Sequence, residues 1–267
     1  MPVKLAIDAR GTGTGEPLVL LHGLGANRLV WRRAAPRLAR ERLVLCPDIP
    51  GLGGSPPAGP GFRLDEVAAT LADALAERAR GPFDLLGTSL GGAVAVYLAV
   101  QRPELVRRLV LAAPAGFTPW PWPLAAAGAG AVSERAIALR RGVGARVAGS
   151  ATVRRTLLFG AVAEPERLSA GDARLLFEAS RGSERIGAAL KAVLRADLRP
   201  LLDGVEAPLG LIWGERDRVV PISTLSLIRG LRPDAVVETI PRAAHIPQLE
   251  RPAEFAAAVR RVLDALA

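Results

Sequence analysis

Short apolar runs alternate with longer amphipathic stretches along most of the chain. The apolar runs predict β-strands near residues 3–8, 17–22, 43–47, 83–87, 107–113, 207–213 and 235–240. The amphipathic stretches predict helices near residues 29–40, 64–80, 89–101, 221–230 and 252–266. Strands that are apolar throughout are typical of a sheet buried on both faces. The alternation therefore predicts an α/β fold, with a mostly parallel central sheet and helices on both faces.

One long segment, residues 116–198, interrupts this alternation. It shows no strand-like pattern and contains amphipathic runs at 136–148 and 173–180. A structureless loop of this length is implausible in a compact domain. The pattern therefore predicts a core formed by residues 1–115 and 199–267, into which residues 116–198 are inserted as a helical cap.

The most informative motif is Gly-Thr-Ser-Leu-Gly at residues 87–91, between a predicted strand and a predicted helix. A serine at the apex of such a turn has a strained backbone, so the positions two before and two after it must be nearly without side chain. Gly87 and Gly91 meet this demand, and the turn leaves the Leu90 N–H at the start of the helix. Serine is also a favoured helix N-cap, but the flanking glycines favour Ser89 as a nucleophile.

A serine nucleophile needs a base, and the chain has only two histidines, His22 and His245. Histidine suits this task near neutral pH, and a carboxylate is needed to orient it. His245 follows a late predicted strand, whereas His22 belongs to a glycine-rich loop near the start of the chain. Asp217 follows another predicted strand and is the candidate carboxylate, with Glu215 as the neighbouring alternative. Aspartate is also common in turns, and a loop histidine can have a purely structural role, but His245 is the only other base available because His22 belongs to the glycine-rich loop.

With these motifs in this order, the chain resembles the α/β-hydrolase superfamily nearly from end to end. The matching pieces are His22-Gly23-Leu24-Gly25, residues 48–55, the Ser89 turn, Trp213-Gly214-Glu215-Arg216-Asp217 and the His245 loop. The order Ser89, Asp217, His245 is the one expected for this superfamily. The resemblance implies a Ser-His-Asp triad and an oxyanion hole formed by the backbone N–H groups of Leu24 and Leu90. It also implies that His22 shapes the loop that presents Leu24.

The same resemblance implies a serine hydrolase that cleaves a carboxylic ester through an acyl-enzyme, without cofactor or metal. The apolar character of the predicted cap and its few charged anchors favour a small to medium apolar substrate. Carbon–carbon bond hydrolases of the meta-cleavage type and enol-lactonases use the same triad and remain alternatives. Haloalkane dehalogenases and epoxide hydrolases carry aspartate at the turn, so Ser89 argues against them. A ligand-binding protein on the hydrolase fold is the non-enzymatic alternative. Trp120 and Trp122, at the start of the insertion, are candidates for lining the substrate pocket, although aromatic residues in a cap often only pack.

Cysteine content and apolar segments limit the other possibilities. The 267 residues contain one cysteine, which excludes an intrachain disulfide, and no Cys/His cluster has the spacing of a metal site. Cys46 is predicted to be a buried strand residue. The start of the chain has no apolar core typical of a signal peptide, and no run of about 18 apolar residues indicates a membrane span. The expected location is therefore the cytoplasm, with no membrane partner.

The net charge of +9 comes almost entirely from arginine. The densest group is predicted to form the solvated face of one helix and consists of Arg28, Arg32, Arg33, Arg37, Arg40 and Arg42. No nucleic-acid recognition motif is present, and aromatic residues make up only 4% of the chain. The expected partner is therefore a small-molecule substrate and not a nucleic acid. The sequence indicates no oligomeric state.

Overall fold

A computed structural model of the chain describes residues 4–117, 146–179, 183 and 185–267. Seven strands of this part form one sheet: β1 Ile7–Arg10, β2 Gly15–Leu21, β3 Arg42–Pro47, β4 Phe83–Thr88, β5 Val106–Ala112, β6 Leu209–Gly214 and β7 Val236–Ile240. Their order is β1-β3-β2-β4-β5-β6-β7. Only β1 is antiparallel to its neighbour, and all other pairs are parallel. The predicted α/β fold with a mostly parallel sheet is confirmed.

Helices follow most of the strands. The described α-helices are α1 Ala35–Leu38, α2 Leu64–Ala79, α3 Leu90–Gln101, α4 Ala151–Leu157, α5 Ala170–Glu178, α6 Ile186–Arg195, α7 Ser223–Leu231, α8 Pro247–Glu250 and α9 Pro252–Ala265. Short 3-10 helices span Arg28–Trp31, Pro103–Leu105, Pro165–Arg167 and Arg199–Gly204. The predicted helices at 64–80, 89–101, 221–230 and 252–266 agree with α2, α3, α7 and α9 within two residues at each end.

Two hydrophobic clusters cover the two faces of the sheet. In β2, Val19 and Leu21 belong to the cluster that also contains the buried side chains of α2, α3 and α7. The intervening Leu18 and Leu20 belong to the cluster that contains those of α1 and α9. All four side chains are fully buried. This two-sided burial explains why the strands are apolar at nearly every position.

The single helix predicted at 29–40 is wrong. The chain forms a 3-10 helix over Arg28–Trp31, and α1 follows as a separate short helix. Pro36 lies in the first turn of α1. Proline has no N–H to donate to the preceding turn, so it fits the start of a helix but not the interior of one.

Four of the six arginines assigned to the face of that helix, Arg28, Arg32, Arg33 and Arg42, pair with carboxylates of other elements. Arg28 donates to Asp8 and Asp48, with Nη1–Oδ2 at 2.5 Å for Asp48. Arg32 and Arg33 both pair with the buried Asp172 of α5. The charge pattern of the sequence does not reveal these contacts because the partners are 20 to 140 residues away.

The described part of the insertion is helical. It contains α4, α5, α6 and the 3-10 helix Pro165–Arg167, and it contains no strand. The amphipathic run at 173–180 falls largely within α5, whereas most of the run at 136–148 lies outside the described residues. The division into core and cap stays a prediction.

A buried ion-pair cluster ties the starts of three strands together. The fully buried Asp84 of β4 accepts two hydrogen bonds from Arg108 of β5, both at 2.7 Å, and one from Arg42 of β3 at 2.9 Å. Arg108 also donates to the carbonyl of Leu263 in α9 at 2.7 Å. The cluster therefore fixes the sheet to a covering helix at the end opposite the Ser89 turn.

We expect Asp84→Asn to lower the free energy of unfolding by about 3–5 kcal/mol, because it leaves guanidinium charge buried without its counter-ion. Chemical denaturation monitored by circular dichroism measures this change. Asp73→Asn is the matched control. Asp73 pairs with Arg102 on the surface, where solvent screens the pair, so the control is expected to unfold like wild type. Equal stability of the two variants would contradict a structural role for the buried cluster.

Candidate active site

Ser89 occupies the sharp turn between β4 and α3. Its backbone has φ 53° and ψ −118°, a conformation that is costly for a residue with a side chain. Hydrogen bonds fix this conformation from both sides. The Ser89 N–H donates to the carbonyl of Ala112 at 3.1 Å, and the Ser89 carbonyl accepts from Gly92 at 3.0 Å and Ala115 at 3.1 Å. The turn predicted from the sequence is therefore present, with the strain concentrated at the serine.

The two flanking glycines are required by close backbone packing. A Cβ at Gly87 would lie 2.2 Å from the carbonyl oxygen of Gly91. A Cβ at Gly91 would lie 2.4 Å from the carbonyl oxygen of Leu21 and 2.6 Å from that of His22. No side chain fits at either position, so the pattern Gly-x-Ser-x-Gly follows from the geometry of the turn.

Asp217 and His245 form a hydrogen-bonded pair. The Asp217 Oδ2 accepts from the His245 Nδ1 at 2.8 Å, and its Oδ1 accepts from the N–H groups of Val219 at 2.8 Å and Val220 at 3.0 Å. The Asp217 side chain is fully buried, and the His245 side chain is 12% exposed. With the proton on Nδ1, the Nε2 of His245 is free to accept a proton from a nucleophile.

Glycine also allows the acid and histidine loops to meet. A Cβ at Gly214, the last residue of β6, would lie 2.1 Å from the carbonyl oxygen of Ala244. The Arg216 N–H donates to the carbonyl of Ala243 at 2.8 Å. These contacts hold the loop after β6 against the loop after β7, and they bring Asp217 within reach of His245.

Ser89, Asp217 and His245 follow the carboxyl ends of β4, β6 and β7. These strands are parallel, so their carboxyl ends lie at the same edge of the sheet. The three side chains therefore lie at that edge. Among the residues that the structure describes, the Ser89 hydroxyl forms no hydrogen bond, either with His245 or with another group. Contacts between nucleophile and base often tighten only when substrate is bound.

The two residues assigned to the oxyanion hole both lie beside Ser89. Leu90 is the first residue of α3, where the backbone N–H has no partner within the helix. Leu24 follows Gly23, and a Cβ at Gly23 would lie 3.2 Å from the Ser89 Cβ. The loop that carries Leu24 therefore packs directly against the Ser89 turn.

His22 is locked into the scaffold. Its fully buried ring lies between two backbone groups, with Nδ1 2.9 Å from the carbonyl oxygen of Gly23 and Nε2 accepting from the Ile49 N–H at 3.1 Å. Burial lowers the pKa of His22 and thus favours the neutral ring that this pattern requires. Both ring nitrogens of His22 are occupied, which agrees with the structural role predicted for it.

One polar residue of the site escaped sequence reasoning. Glu250, at the end of α8, places its carboxylate beneath the histidine loop and accepts hydrogen bonds from Ala163, Ala244 and Ile246. The only signal in the sequence is a glutamate five residues after His245, which by itself predicts nothing.

Trp120 and Trp122 lie outside the described residues, so their proposed place in the pocket is untested.

The fold and this arrangement define the class of protein. A family model described as alpha/beta hydrolase fold matches residues 16–252, and the chain belongs to that family. The pimeloyl-[acyl-carrier protein] methyl ester esterase of Chromobacterium violaceum is 32% identical over 261 residues, covering 94% of this chain and 96% of that protein.

Two solved structures are also similar to this chain. A bacterial membrane phospholipase A has a TM-score of 0.79 at 28% identity, covering 100% of this chain and 85% of that one. A thermophilic esterase from Thermogutta terrifontis has a TM-score of 0.77 at 25% identity, and the match covers 99% of this chain and 95% of that one. The predicted class, an α/β-fold hydrolase of the carboxylesterase type, is confirmed. No helix in the described ranges has both the length and the apolar character needed to cross a membrane.

Proposed function

We propose that the protein is a serine carboxylesterase in which Ser89 is the nucleophile, His245 the general base and Asp217 the residue that orients the base. The observation that carries this proposal is the 2.8 Å hydrogen bond between Asp217 and His245 at the edge of the sheet where Ser89 occupies its strained turn. Asp217 and His245 are 28 residues apart in the chain, and both lie more than a hundred residues after Ser89. A histidine that a buried carboxylate orients, at the same end of the sheet as a serine turn, is the arrangement that acyl transfer requires.

The proposed reaction has two halves. Ser89 Oγ attacks the ester carbonyl carbon while His245 Nε2 takes the hydroxyl proton, and the N–H groups of Leu24 and Leu90 donate to the resulting oxyanion. Collapse of this intermediate breaks the bond to the leaving alcohol, which receives the proton from His245. Water then attacks the acyl carbon with His245 again as base, the bond to Ser89 Oγ breaks, Oγ receives the proton from His245, and the carboxylic acid leaves. Each oxyanion donor is expected to contribute about 10²–10³-fold in rate.

The insertion, residues 116–198, is proposed to cover this site as a cap. The helical content of its described part and the hydrogen bond from the His245 N–H to the Ala161 carbonyl, at 3.1 Å, support this placement. Trp120 and Trp122 would then contribute apolar surface to the acyl pocket. A small to medium apolar acyl group is the substrate class that this pocket would select.

The relatives narrow the substrates to be tested. The Chromobacterium violaceum protein is named for a methyl ester on an acyl carrier protein, and a net charge of +9 would attract an anionic substrate or carrier. Methyl esters of acyl chains, both free and carrier-bound, are therefore the first natural-type substrates to test.

We expect the wild-type protein to hydrolyse p-nitrophenyl esters with a maximum at short to medium chain length, since a covered apolar pocket limits the acyl group it accepts. A series from acetate to laurate, assayed beside Ser89→Ala, measures this. Inactivity towards every ester with turnover of a dienoate diketone would replace the proposal with a carbon–carbon hydrolase. A single turnover with retained product would indicate a ligand-binding protein instead.

A further inference from the structure

The Glu250 carboxylate binds backbone groups on both sides of His245. Its Oε1 accepts from the N–H groups of Ala244 at 3.1 Å and Ile246 at 3.2 Å, the residues directly before and after the histidine. Its Oε2 accepts from the N–H of Ala163 at 2.7 Å. One side chain therefore holds the residues flanking the proposed base and a residue of the insertion.

A second hydrogen bond joins the same two segments. The His245 N–H donates to the carbonyl of Ala161 at 3.1 Å. The turn at 161–163 is thus joined to the His245 loop by two contacts. Ala161 accepts a hydrogen bond from His245 directly, and Ala163 donates one to Glu250, which also binds the His245 loop. The backbone of His245 is consequently fixed between the core and the insertion.

The hydrogen bonds of the Glu250 carboxylate come from backbone N–H groups and not from a cationic side chain. Within the described ranges, no arginine, lysine or histidine nitrogen lies within 4.0 Å of it. The nearby Glu164, in contrast, pairs with Arg251 at 2.7 Å. Burial raises the pKa of Glu250, and its backbone hydrogen bonds oppose that rise because they favour the ionised form.

We propose that Glu250 is a positioning residue, whose carboxylate holds the His245 loop against the insertion so that the imidazole faces the Ser89 hydroxyl. This inference rests on the proposed function, because it assumes that His245 is the base. It adds that the orientation of the base depends on a contact between core and insertion. Asp217 fixes the ring through Nδ1, and Glu250 fixes the backbone that carries the ring.

Glutamine at this position keeps the size of the side chain but removes one acceptor. If its carbonyl oxygen stays with Ala244 and Ile246, its NH₂ group faces the N–H of Ala163, and two donors then oppose each other. If the amide group is rotated so that its oxygen accepts from Ala163, its NH₂ group faces the N–H groups of Ala244 and Ile246, and donors oppose each other there. Either orientation displaces the His245 backbone, and displacements on the order of 1 Å can cost about 10²-fold in rate.

We expect Glu250→Gln to lower kcat by about 10–100-fold while KM stays within about twofold of wild type. The matched control is Glu254→Gln, the same change at an exposed position four residues further on, which should leave both constants unchanged. Steady-state hydrolysis of the best p-nitrophenyl ester is measured at a temperature where circular dichroism shows all the proteins folded. Labelling of Ser89 by a fluorophosphonate is followed in parallel.

The labelling separates positioning from stability. A misplaced base slows the reaction of Ser89 with the fluorophosphonate but leaves the final extent of labelling complete. An unchanged rate with a reduced extent would overturn the proposal, because it indicates only a smaller folded fraction. Glu250→Asp, which keeps the charge and shortens the reach, should also slow labelling. If neither variant folds, Glu250 is required for the stability of the fold, and the proposed positioning role is wrong.

The two proposals fail in distinguishable ways. Full activity in Ser89→Ala, or no ester hydrolysis by wild type, would remove the proposed function itself. Wild-type activity that is lost in Ser89→Ala but kept in Glu250→Gln would leave the esterase in place and remove only the role of Glu250.

Discussion

Replacing Asp217 with asparagine is expected to lower kcat by about 10⁴-fold with little effect on folding. The Asp217 Oδ1 accepts two backbone N–H groups, from Val219 and Val220. The amide oxygen of asparagine would keep these bonds, so its NH₂ group would face the Nδ1 of His245. The imidazole would then carry its proton on Nε2, where it cannot accept the proton of Ser89. Steady-state kinetics on the best ester measures the loss.

Glu215→Gln is the control for this prediction. Glu215 is the neighbouring acid in the same turn, is exposed, and was the alternative to Asp217 in the sequence. It is expected to keep full activity because Asp217, and not Glu215, accepts the hydrogen bond from the imidazole. A larger loss in Glu215→Gln than in Asp217→Asn would show that the acid has been assigned wrongly.

Ser89→Ala is expected to lower kcat by about 10⁶-fold, since the whole covalent route depends on this hydroxyl. Alanine carries a Cβ like serine, so the strained turn at φ 53° should persist and stability should change little. Ester hydrolysis and thermal unfolding are measured together. Ser223→Ala, which removes an exposed hydroxyl at the start of α7, should behave as wild type.

A cysteine thiol is also a common nucleophile, but the thiol of Cys46 cannot replace the Ser89 hydroxyl. Cys46 lies in β3, is 1% exposed, and burial raises the pKa of its thiol to about 12. Its sequence-based prediction as a buried strand residue is confirmed. Activity retained in Ser89→Ala would therefore indicate that another hydroxyl is the nucleophile, and would contradict the proposed mechanism.

The sheet could be predicted from the sequence because its strands are buried on both faces and each helix has one apolar face. Strands β2 to β7 fall within two residues of the apolar runs. The short edge strand β1 lies later than predicted, at 7–10 and not at 3–8. It is partly exposed, so its apolar signal is weaker. The apolar periodicity at 29–40 predicts one helix, but Pro36 fits only the first turn of a helix and divides the segment in two.

The positions of Ser89, Asp217 and His245 at one sheet edge follow from motifs at the ends of predicted parallel strands. Glu250 and the partners of Arg32 and Arg33 could not be found this way. Their contacts join the core to the insertion, and the distance in sequence leaves no local pattern. Such contacts become visible only when the folded chain brings the loops together.

The proposed mechanism depends on Ser89 being a nucleophile that His245 activates. Peptide mass spectrometry after treatment with a fluorophosphonate tests it most directly, with wild type and His245→Ala compared over time. We expect one adduct, on the peptide that contains Ser89, and labelling at least about 10²-fold slower without the histidine. An adduct on another residue, or equal labelling rates in the two proteins, would contradict it.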